Sequence, residues 1–584
     1  MDGPTRYWAL AIALVVLTGC YHHPAHDVVF DAASFAPPPV TCCETYTSGV
    51  FADPAAMAPP VITAAVDEIP RREQVPLSLT EARRIALENN KNIAVVGFLP
   101  GEAEAIIAAE IGVFDTIGGF EAEAGKLDEQ VVSLIESVGS LSPTQQTDFF
   151  SPLDMNNIYV QQPLRTGGIV EVGLGTDYQF LDPAGSFVFV NPAWRSALNL
   201  SITQPIFQDA GRAVVEAPIR IAQANHQQAV HDFQTVVRTV LRETEEAYWT
   251  VYLAKRELDI QNDAFYQAAD TFEREEELLN LGEGALPDLA EAETQFEAFR
   301  IARAQAQFGY DAAQRNLTRL LGFPVDYSRE VVPETAPEVE PVNLDWSMAV
   351  VAVQQRPEIL AQQATIRAAQ TNLFLQENGL APDIDVGFDY AITGLADRFD
   401  DSMDVVGDND FNNWTLGLSW QRPFGRLVAN AAVRQARLAL SREMAALDEI
   451  ELEVMHELHQ AYQRLVTAQR VLEMHARRRA AAAQQLEARR ELYLQRRATL
   501  DLQLEAEQIY AIARLAESAA LTEYQQALVE WRFASGTMFN SGVVIEEAVP
   551  TPESDEAAPE EAVDPAANDA QAPMPPQIQR VPMP

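Results

Sequence analysis

The stretch "ELLNLGEGALPDLAEAE", residues 277–293, interrupts one very long helical pattern and is followed at once by another. Gly282 and Gly284 allow backbone conformations in which side chains would clash, and Pro287 suits the first turn of a new helix. No Gly or Pro occurs between Pro218 and Gly282, so the preceding helix would extend roughly 95 Å at 1.5 Å per residue. We therefore predict that the chain reverses here and returns as a partner helix.

The sequence around this turn occurs twice in related form. Placing Tyr248 over Tyr462 aligns "ETEEAYWTVYLAKREL" with "ELHQAYQRLVTAQRVL", and the same offset of 214 positions places Gly322 over Gly536. A constant register of this kind indicates two copies of one unit. The second turn, "YLQRRATLDLQLEA" at residues 493–506, differs from the first because Arg496 stands at the position of Gly282.

Both copies also contain segments with strict alternation of apolar and polar residues. "DIDVGFDYAI" (383–392), "NWTLGLSW" (413–420), "WRSALNLSIT" (194–203) and "IVEVGLGTDYQF" (169–180) each place apolar side chains on one face. Alternation over about ten residues suits a membrane barrel with lipid outside and water inside, although a soluble sandwich shows a similar pattern. The long helices by themselves would also fit a soluble coiled-coil rod.

Composition excludes several classes of function. The 584-residue chain has a formal net charge of -44, which disfavours a nucleic-acid-binding surface. Only three cysteines occur, Cys20, Cys42 and Cys43, so the body of the chain has neither a disulfide framework nor a cysteine-based zinc site. His456 and His459 have a spacing that metal sites use, but no further ligands accompany them, and we predict no metal site and no cofactor. Motifs of hydrolases and nucleotide-binding enzymes do not occur, so we predict that the protein is not an enzyme.

The two termini have the composition of targeting and linker segments. Arg6 precedes the apolar run "YWALAIALVVL", which ends in "LTGC", and this pattern resembles a bacterial lipoprotein signal with cleavage before Cys20 and acylation of its thiol. The alternative is an ordinary secretory signal. We predict a signal peptide at 1–19, a Pro/Ala-rich tether at 20–76 and a disordered acidic tail at 545–584. The first repeat would then span 77–325 and the second 344–540.

At this point the chain resembles the TolC-like outer membrane factors, in a lipoprotein-anchored form. The residues that carry the resemblance are "LSLTEARRIALENNKNI" (77–93), "ITQPIFQDAGR" (202–212), "LNLGEGALPDLAEA" (279–292), "RPEI" (356–359) and "QRPFGRLVANA" (421–431). The resemblance implies a mainly α fold with a transmembrane β-barrel portion. Long helical hairpins of three protomers would form a periplasmic tunnel, and four strands per protomer would form a 12-stranded barrel in the outer membrane.

The resemblance also implies site residues and partners. The turn residues Leu281, Gly282, Glu283 and Gly284, with Arg496 and Arg497 in the second copy, would meet a periplasmic adaptor protein. The ungapped match places Glu505 at one acidic ring position of the closed entrance and Leu502 at the other, with Asp501 one step aside. Asp501 and Glu505 share a helix face and would form the acidic gate, although a plain solvated face has the same composition. The expected partners are two further copies of the chain, the adaptor, an inner-membrane transporter of the RND, ABC or MFS class, and outer-membrane lipid.

The implied function is a passive exit duct in efflux or type I secretion, with a pore-free periplasmic scaffold as the alternative. One segment departs from the family pattern. Residues from about 126 to 192 are long for a hairpin loop, and within them "IVEVGLGTDYQF" has the pattern of a fifth strand, with "NIYVQQPL" as its candidate partner. Either the barrel has more strands or the insertion forms an extracellular hairpin above it, and we expect the hairpin.

Overall fold

The computed structural model describes residues 72–133, 138–150, 158–324, 328–339, 346–495 and 497–538. Within them the helices are α1 (Leu79–Asn89), α2 (Lys91–Val96), α3 (Phe98–Gly112), α4 (Arg212–Val215), α5 (Ala217–Asn280), α6 (Leu286–Leu320), α7 (Trp346–Val353), α8 (Pro357–Asn378), α9 (Phe399–Asp408), α10 (Leu427–Leu494) and α11 (Leu500–Ala534). The strands are β1 (Glu73–Leu77), β2 (Ile117–Phe120), β3 (Ala124–Gln130), β4 (Thr144–Phe150), β5 (Ile158–Pro163), β6 (Ile169–Asp182), β7 (Ala193–Pro205), β8 (Arg329–Pro333), β9 (Asp383–Ala396) and β10 (Asn412–Gln421).

Two helical hairpins make up most of the structure, as the sequence predicts. The helix α5 has 64 residues and α10 has 68, and each is followed by a 35-residue partner, α6 or α11. The offset of 214 also relates the helix endings: Gly322 and Gly536 both have positive φ, at 77° and 74°, where the two partner helices end. The two repeats therefore share backbone geometry as well as sequence.

The strands β2–β7, β9 and β10 form one antiparallel sheet. The order of its first four strands is β10-β9-β7-β6. Beyond β6 the sheet continues with two strands at each position: β4 and β5 both pair with β6, β3 pairs with β4, and β2 pairs with β5. The strand β4 covers residues 178–182 of β6 and β5 covers residues 169–174, so they lie end to end along it. The sheet therefore has six strand positions, and the chain runs up and down through them in sequence order.

The strand count corrects the sequence prediction. The four alternating segments are present as β6, β7, β9 and β10, and the predicted partner of β6, "NIYVQQPL", is present as β5. Because β2 to β5 join the same sheet, the chain contributes eight strands in six positions instead of four. The expectation of a separate hairpin at about 126–192 is wrong because β6 completes ladders on both of its edges, with β4 and β5 on one side and β7 on the other.

The folded region also begins earlier than the predicted tether boundary at residue 76. Residues 73–77 form β1, which pairs in parallel with β8. The hydroxyl of Tyr248 donates to the carbonyl oxygen of Leu77 at 3.0 Å and accepts from the Thr335 amide. The predicted signal peptide, Cys20, Cys42, Cys43, Arg496 and the acidic tail lie outside the described residues.

A buried ionic network joins the two repeats near the carboxyl end of α11. Glu245 lies 2.7 Å from Arg83 and 3.6 Å from Arg532, and its side chain is 1% exposed. Nearby, Arg356 contacts Glu358 and Glu457 at 3.2 and 2.6 Å. Because buried charges need partners, this network fixes α1, α5 and α8 against α11.

Apolar surface remains uncovered on the long helices of the single chain. Ile301 and Phe308 on α6 and Leu438 and Leu452 on α10 are each at least 59% exposed. Among the described residues, one helical stretch, Lys91–Gly112, is long and apolar enough to cross a membrane by length and composition, and only 6% of it is buried.

Candidate functional site

The two helical turns lie side by side at one end of the hairpins. The Tyr493 hydroxyl near the end of α10 donates to the carboxylate of Glu275 near the end of α5. A small apolar cluster of Ala292, Leu500 and Leu504 packs between the second helices of the hairpins. These contacts hold the predicted docking turns and the predicted gate residues in one region.

The first turn closes as the glycine pattern predicts. Gly282 has φ +77°, and the amides of Glu283 and Gly284 both donate to the carbonyl oxygen of Leu278 at 2.9 Å. A left-handed residue followed by a bond of this type is the Schellman ending of a helix. Leu281 is 69% exposed at the tip, so an apolar side chain projects from the turn into solvent.

The second turn uses an equivalent hydrogen bond. The Arg497 amide donates to the carbonyl oxygen of Leu492 at 2.8 Å, which is the bond from Glu283 to Leu278 shifted by 214 positions. The position equivalent to Gly282 is Arg496, which lies outside the described residues. Arg497 is described, so the structure places five of the six predicted docking residues at this end.

The predicted gate residues share one exposed face of α11. Asp501 and Glu505 are both exposed, lie one helical turn apart and belong to the first two turns of the helix. Asp501 also occupies the first turn, where the partial positive charge of the helix end favours a carboxylate. The spacing inferred from sequence is therefore present, and both side chains are exposed on that face.

Sequence analysis missed three polar residues that organise this end. Gln503 is 3% exposed and donates to the carboxylate of Glu507 at 2.9 Å, while Glu275 is 3% exposed beside Tyr493. Burial raises the pKa of Glu507 above its ordinary value of 4.5. Burial and the neighbouring Glu275 carboxylate also raise the pKa of the Tyr493 hydroxyl. The signal for Glu507 was its alignment with Glu293, but sequence alone did not indicate that only one of the two is partly buried.

Metal ligation finds no support at His456 and His459. Within the described ranges, no group of three His, Cys, Asp or Glu side chains is placed to hold an ion. The ring of His459 instead contacts Trp346 edge-on at 6.0 Å and hydrogen-bonds to Gln463.

Comparison with known proteins gives one family match and several structural relatives. Residues 172–323, from β6 to the end of the first hairpin, match the family model described as outer membrane efflux protein. No curated protein sequence matches the chain.

Several solved structures share the fold at low sequence identity. The CmeC outer membrane channel of Campylobacter jejuni aligns at TM-score 0.57 with 14% identity, covering 79% of this chain and 86% of the relative. VceC, an outer membrane protein of Vibrio cholerae, aligns at 0.55 with 14% identity, covering 78% and 96%. The open-state MtrE outer membrane channel of Neisseria gonorrhoeae aligns at 0.56 with 14% identity, covering 79% and 89%.

The long helical hairpins and the amphipathic sheet thus define the fold of an outer-membrane efflux channel. The family match over residues 172–323 and the shared fold confirm the resemblance to the TolC-like outer membrane factors.

Proposed function

We propose that the protein is the outer-membrane exit duct of a tripartite efflux or type I secretion system. It would conduct cargo passively from the periplasm to the exterior, with energy supplied by an inner-membrane transporter of the RND, ABC or MFS class. The observation that carries this proposal is the sheet, which has an apolar face across β6, β7, β9 and β10 and is joined directly to helices far longer than any membrane is thick.

The sheet has the two faces that a lipid-embedded barrel needs. Trp414, Leu416, Leu418 and Trp420 of β10 are 62–72% exposed on one face, while Thr415 and Ser419 occupy the other. Lipid offers no hydrogen bonds, so a sheet in the membrane must close on itself and place its apolar side chains outward. Water-filled barrels place polar side chains inward, as the opposite face does here.

We propose that three copies of the chain close this barrel and the helical tunnel. The exposed apolar residues of α3, α6 and α10 support this, because amphipathic helices bury such stripes against partner helices. Neighbouring copies supply the same surfaces in complementary positions, so a closed ring covers them all.

Asp501 and Glu505 would form the entrance gate. In a threefold ring each position supplies three carboxylates around the axis, which attracts cations and resists collapse of the closed entrance by like-charge repulsion. The test is Asp501→Ala with Glu505→Ala in planar bilayers. We expect cation selectivity to fall, and unchanged selectivity would remove the gate role while leaving the duct intact.

Adaptor docking would use the exposed tips of the hairpins. Leu281 projects from the first turn, and Glu283 and Arg497 place charge beside it. In cells that also produce the cognate adaptor, Leu281→Glu should abolish co-purification of the adaptor, while Leu281→Met should preserve it. Equal adaptor recovery with Leu281→Glu would argue against docking at this turn.

Lipid anchoring at Cys20 completes the proposal and rests on the sequence "LTGC". Metabolic labelling with radioactive palmitate should mark the wild-type protein, while Cys20→Ser should remain unlabelled. Labelling that persists in Cys20→Ser would contradict the assignment.

Reconstitution in planar bilayers tests the function as a whole. A duct should give discrete single-channel conductance and should require detergent to stay dispersed as a trimer. A detergent-free monomer without conductance would instead support the alternative, a periplasmic scaffold lipoprotein without a pore.

A further inference from the structure

The sheet of a single chain has two unpaired edges. One is β10, which pairs with β9 alone, and the other is formed by β2 and β3, which pair with β5 and β4 alone among the described residues. Within the membrane an unpaired strand edge leaves backbone amides and carbonyls without hydrogen bonds, at several kcal/mol for each group. Both edges must therefore be covered by another strand.

The edge of β6 is not available for that purpose. Residues 169–174 of β6 pair with β5 and residues 178–182 pair with β4, so nearly the whole length of the strand is occupied on that side. Its other side pairs with β7 over residues 169–179. A neighbouring β10 could pair with β6 only after β4 and β5 had left it.

The helix-side end of the sheet anchors the added strands. The Gln162 side chain of β5 donates to the carbonyl oxygen of Phe114 at 2.7 Å, just before β2, and the Gly211 amide donates to the carbonyl oxygen of Thr166 in the turn between β5 and β6. A Cβ on Gly167 would come within 2.3 Å of the Asp209 carbonyl oxygen. The added strands are thus fastened where the helices begin, and they lie within the sheet instead of above it.

The apolar face extends onto the added strands, and Lys126 of β3 and Asp148 of β4 follow on the same face toward the end away from the helices. In register, Val172 of β6 is opposite Val160 of β5, which is opposite Gly118 of β2. Toward the other end, Tyr178 of β6 is opposite Phe150 of β4, and Phe150 is opposite Ala124 of β3. Phe120 continues this face and is 70% exposed.

The opposite face of the outer edge carries several carboxylates. Glu121 and Glu123 lie between β2 and β3, and β3 adds Glu129 beside Leu127. Carboxylates at these positions suit a water-filled interior and would be costly against lipid.

We propose that β10 of one copy pairs with the edge formed by β2 and β3 of the next copy. This interface rests on the proposed function, because it requires a trimeric barrel in a membrane. Six strand positions from each of three copies then give an 18-stranded barrel instead of the 12-stranded barrel expected from the family resemblance. The partner for each free edge is a second copy of the same chain.

The added positions change the size of the opening. Adjacent strands lie about 4.8 Å apart and tilt by about 40° in barrels, so 12 strands enclose a backbone diameter of about 24 Å and 18 strands about 36 Å. The enclosed cross-section therefore grows about twofold.

Electron cryo-microscopy of the full-length trimer in lipid nanodiscs tests the interface directly. The expected map shows 18 strands, with β10 against the β2 and β3 edge of the neighbouring copy. A trimer with a 12-stranded barrel, with β10 against β6, would overturn this interface but leave the duct function standing. A particle without threefold symmetry would overturn both.

Disulfide formation in native membranes provides a second measurement, in a background with Cys42 and Cys43 replaced by Ser. Cysteine at Thr415 or Ser419 is combined with cysteine at Glu121 or Glu129, on opposite edges of one chain's sheet. Oxidation should then link protomers into dimers and trimers on a denaturing gel. The matched control combines Ser419→Cys with Glu171→Cys on β6 and should remain monomeric. Linked protomers in the control, or none in any combination, would contradict the interface.

Discussion

At the scale of single residues, the turn between α5 and α6 depends on backbone conformations that only glycine adopts easily. Gly282 has φ +77° and open space around it, so Gly282→Ala should cost only the left-handed penalty, about 1–2 kcal/mol. At Gly284 an added Cβ would lie 2.7 Å from the backbone nitrogen of Leu279, so Gly284→Ala should distort the turn and destabilise it more. Thermal unfolding in detergent should rank the two variants in this order.

Gly309 provides the matched control for these substitutions. It lies within α6, is exposed, and has open space within 4 Å of the point where an alanine methyl group would stand. Because alanine favours helix, Gly309→Ala should stabilise the protein by about 1 kcal/mol. A loss of stability there that equals the loss in Gly282→Ala would show that backbone conformation is not the cause.

Glu507 makes the stability of the folded protein depend on pH. Burial raises its pKa in the folded state above the ordinary value of 4.5, so the folded state binds a proton more tightly than the unfolded chain does. The resulting stability is present at low pH and is lost as the pH rises through the raised pKa. Glu507→Gln should remove this loss, and its Tm should gain on the wild type as the pH rises above 4.5.

Glu293, the aligned residue of the first repeat, is exposed and serves as the control. Glu293→Gln should leave the difference in Tm from wild type constant with pH. A constant difference for Glu507→Gln as well would show that its carboxyl is not the titrating group.

Glu245 tests the buried ionic network. Glu245→Gln leaves the guanidinium of Arg83, 2.7 Å away, and that of Arg532 without their shared carboxylate. Removing one member of a buried ion pair costs about 3–5 kcal/mol, so chemical denaturation should show a loss of that size. Glu81→Gln, which breaks an exposed pair with Arg84, should change stability little, and similar losses in both variants would contradict this interpretation.

At this scale the sequence predicted the placement of residues whose position follows from backbone preference or helical spacing. Gly282 was predictable because glycine spacing determines a helix ending, and Asp501 and Glu505 because a separation of four residues defines one helix face. Gln503, Glu507 and Glu275 were not predictable, because their burial depends on how two hairpins pack, which no local pattern records.

At the scale of elements, β10 presents lipid-facing and water-facing side chains at neighbouring positions. Leu418 is 72% exposed on the apolar face, and Ser419 occupies the opposite face. Arginine at a lipid-facing position near the membrane midplane costs about 2–4 kcal/mol. Leu418→Arg should therefore reduce the yield of folded trimer in outer membranes, measured by resistance to dissociation on unheated gels, while Ser419→Arg should assemble normally.

The reverse result, with Ser419→Arg failing and Leu418→Arg assembling, would invert the assignment of the two faces.

The sequence predicted the four alternating strands well because alternation reports directly on the two environments. It failed on the segment at about 126–192, because "EAEAGKLDEQ" alternates weakly and the pairings of β4 with β6 and of β2 with β5 pass over intervening strands. Strand pairing of that kind is decided by the whole sheet.

At the scale of the whole molecule, the number of strand positions determines what can enter from outside. Allowing about 5 Å for inward side chains on each wall, the opening would be about 26 Å wide with 18 strands and about 14 Å with 12. Poly(ethylene glycol) of about 20 Å diameter, added on the exterior side of a bilayer, should therefore enter the barrel and lower the single-channel conductance. Complete exclusion of that polymer, with smaller polymers still entering, would indicate the narrower barrel.

The long helices give the wider barrel a further consequence. At any height four helices of each chain stand side by side, α3, α5, α8 and α10 nearer the sheet and α5, α6, α10 and α11 farther from it. Twelve helices spaced about 10 Å apart form a ring about 120 Å around, and 18 tilted strands measure about 113 Å, against about 75 Å for 12 strands. The helical tunnel and an 18-stranded barrel then have nearly equal circumferences. Cargo that has passed the entrance would therefore meet no narrowing where the tunnel joins the barrel.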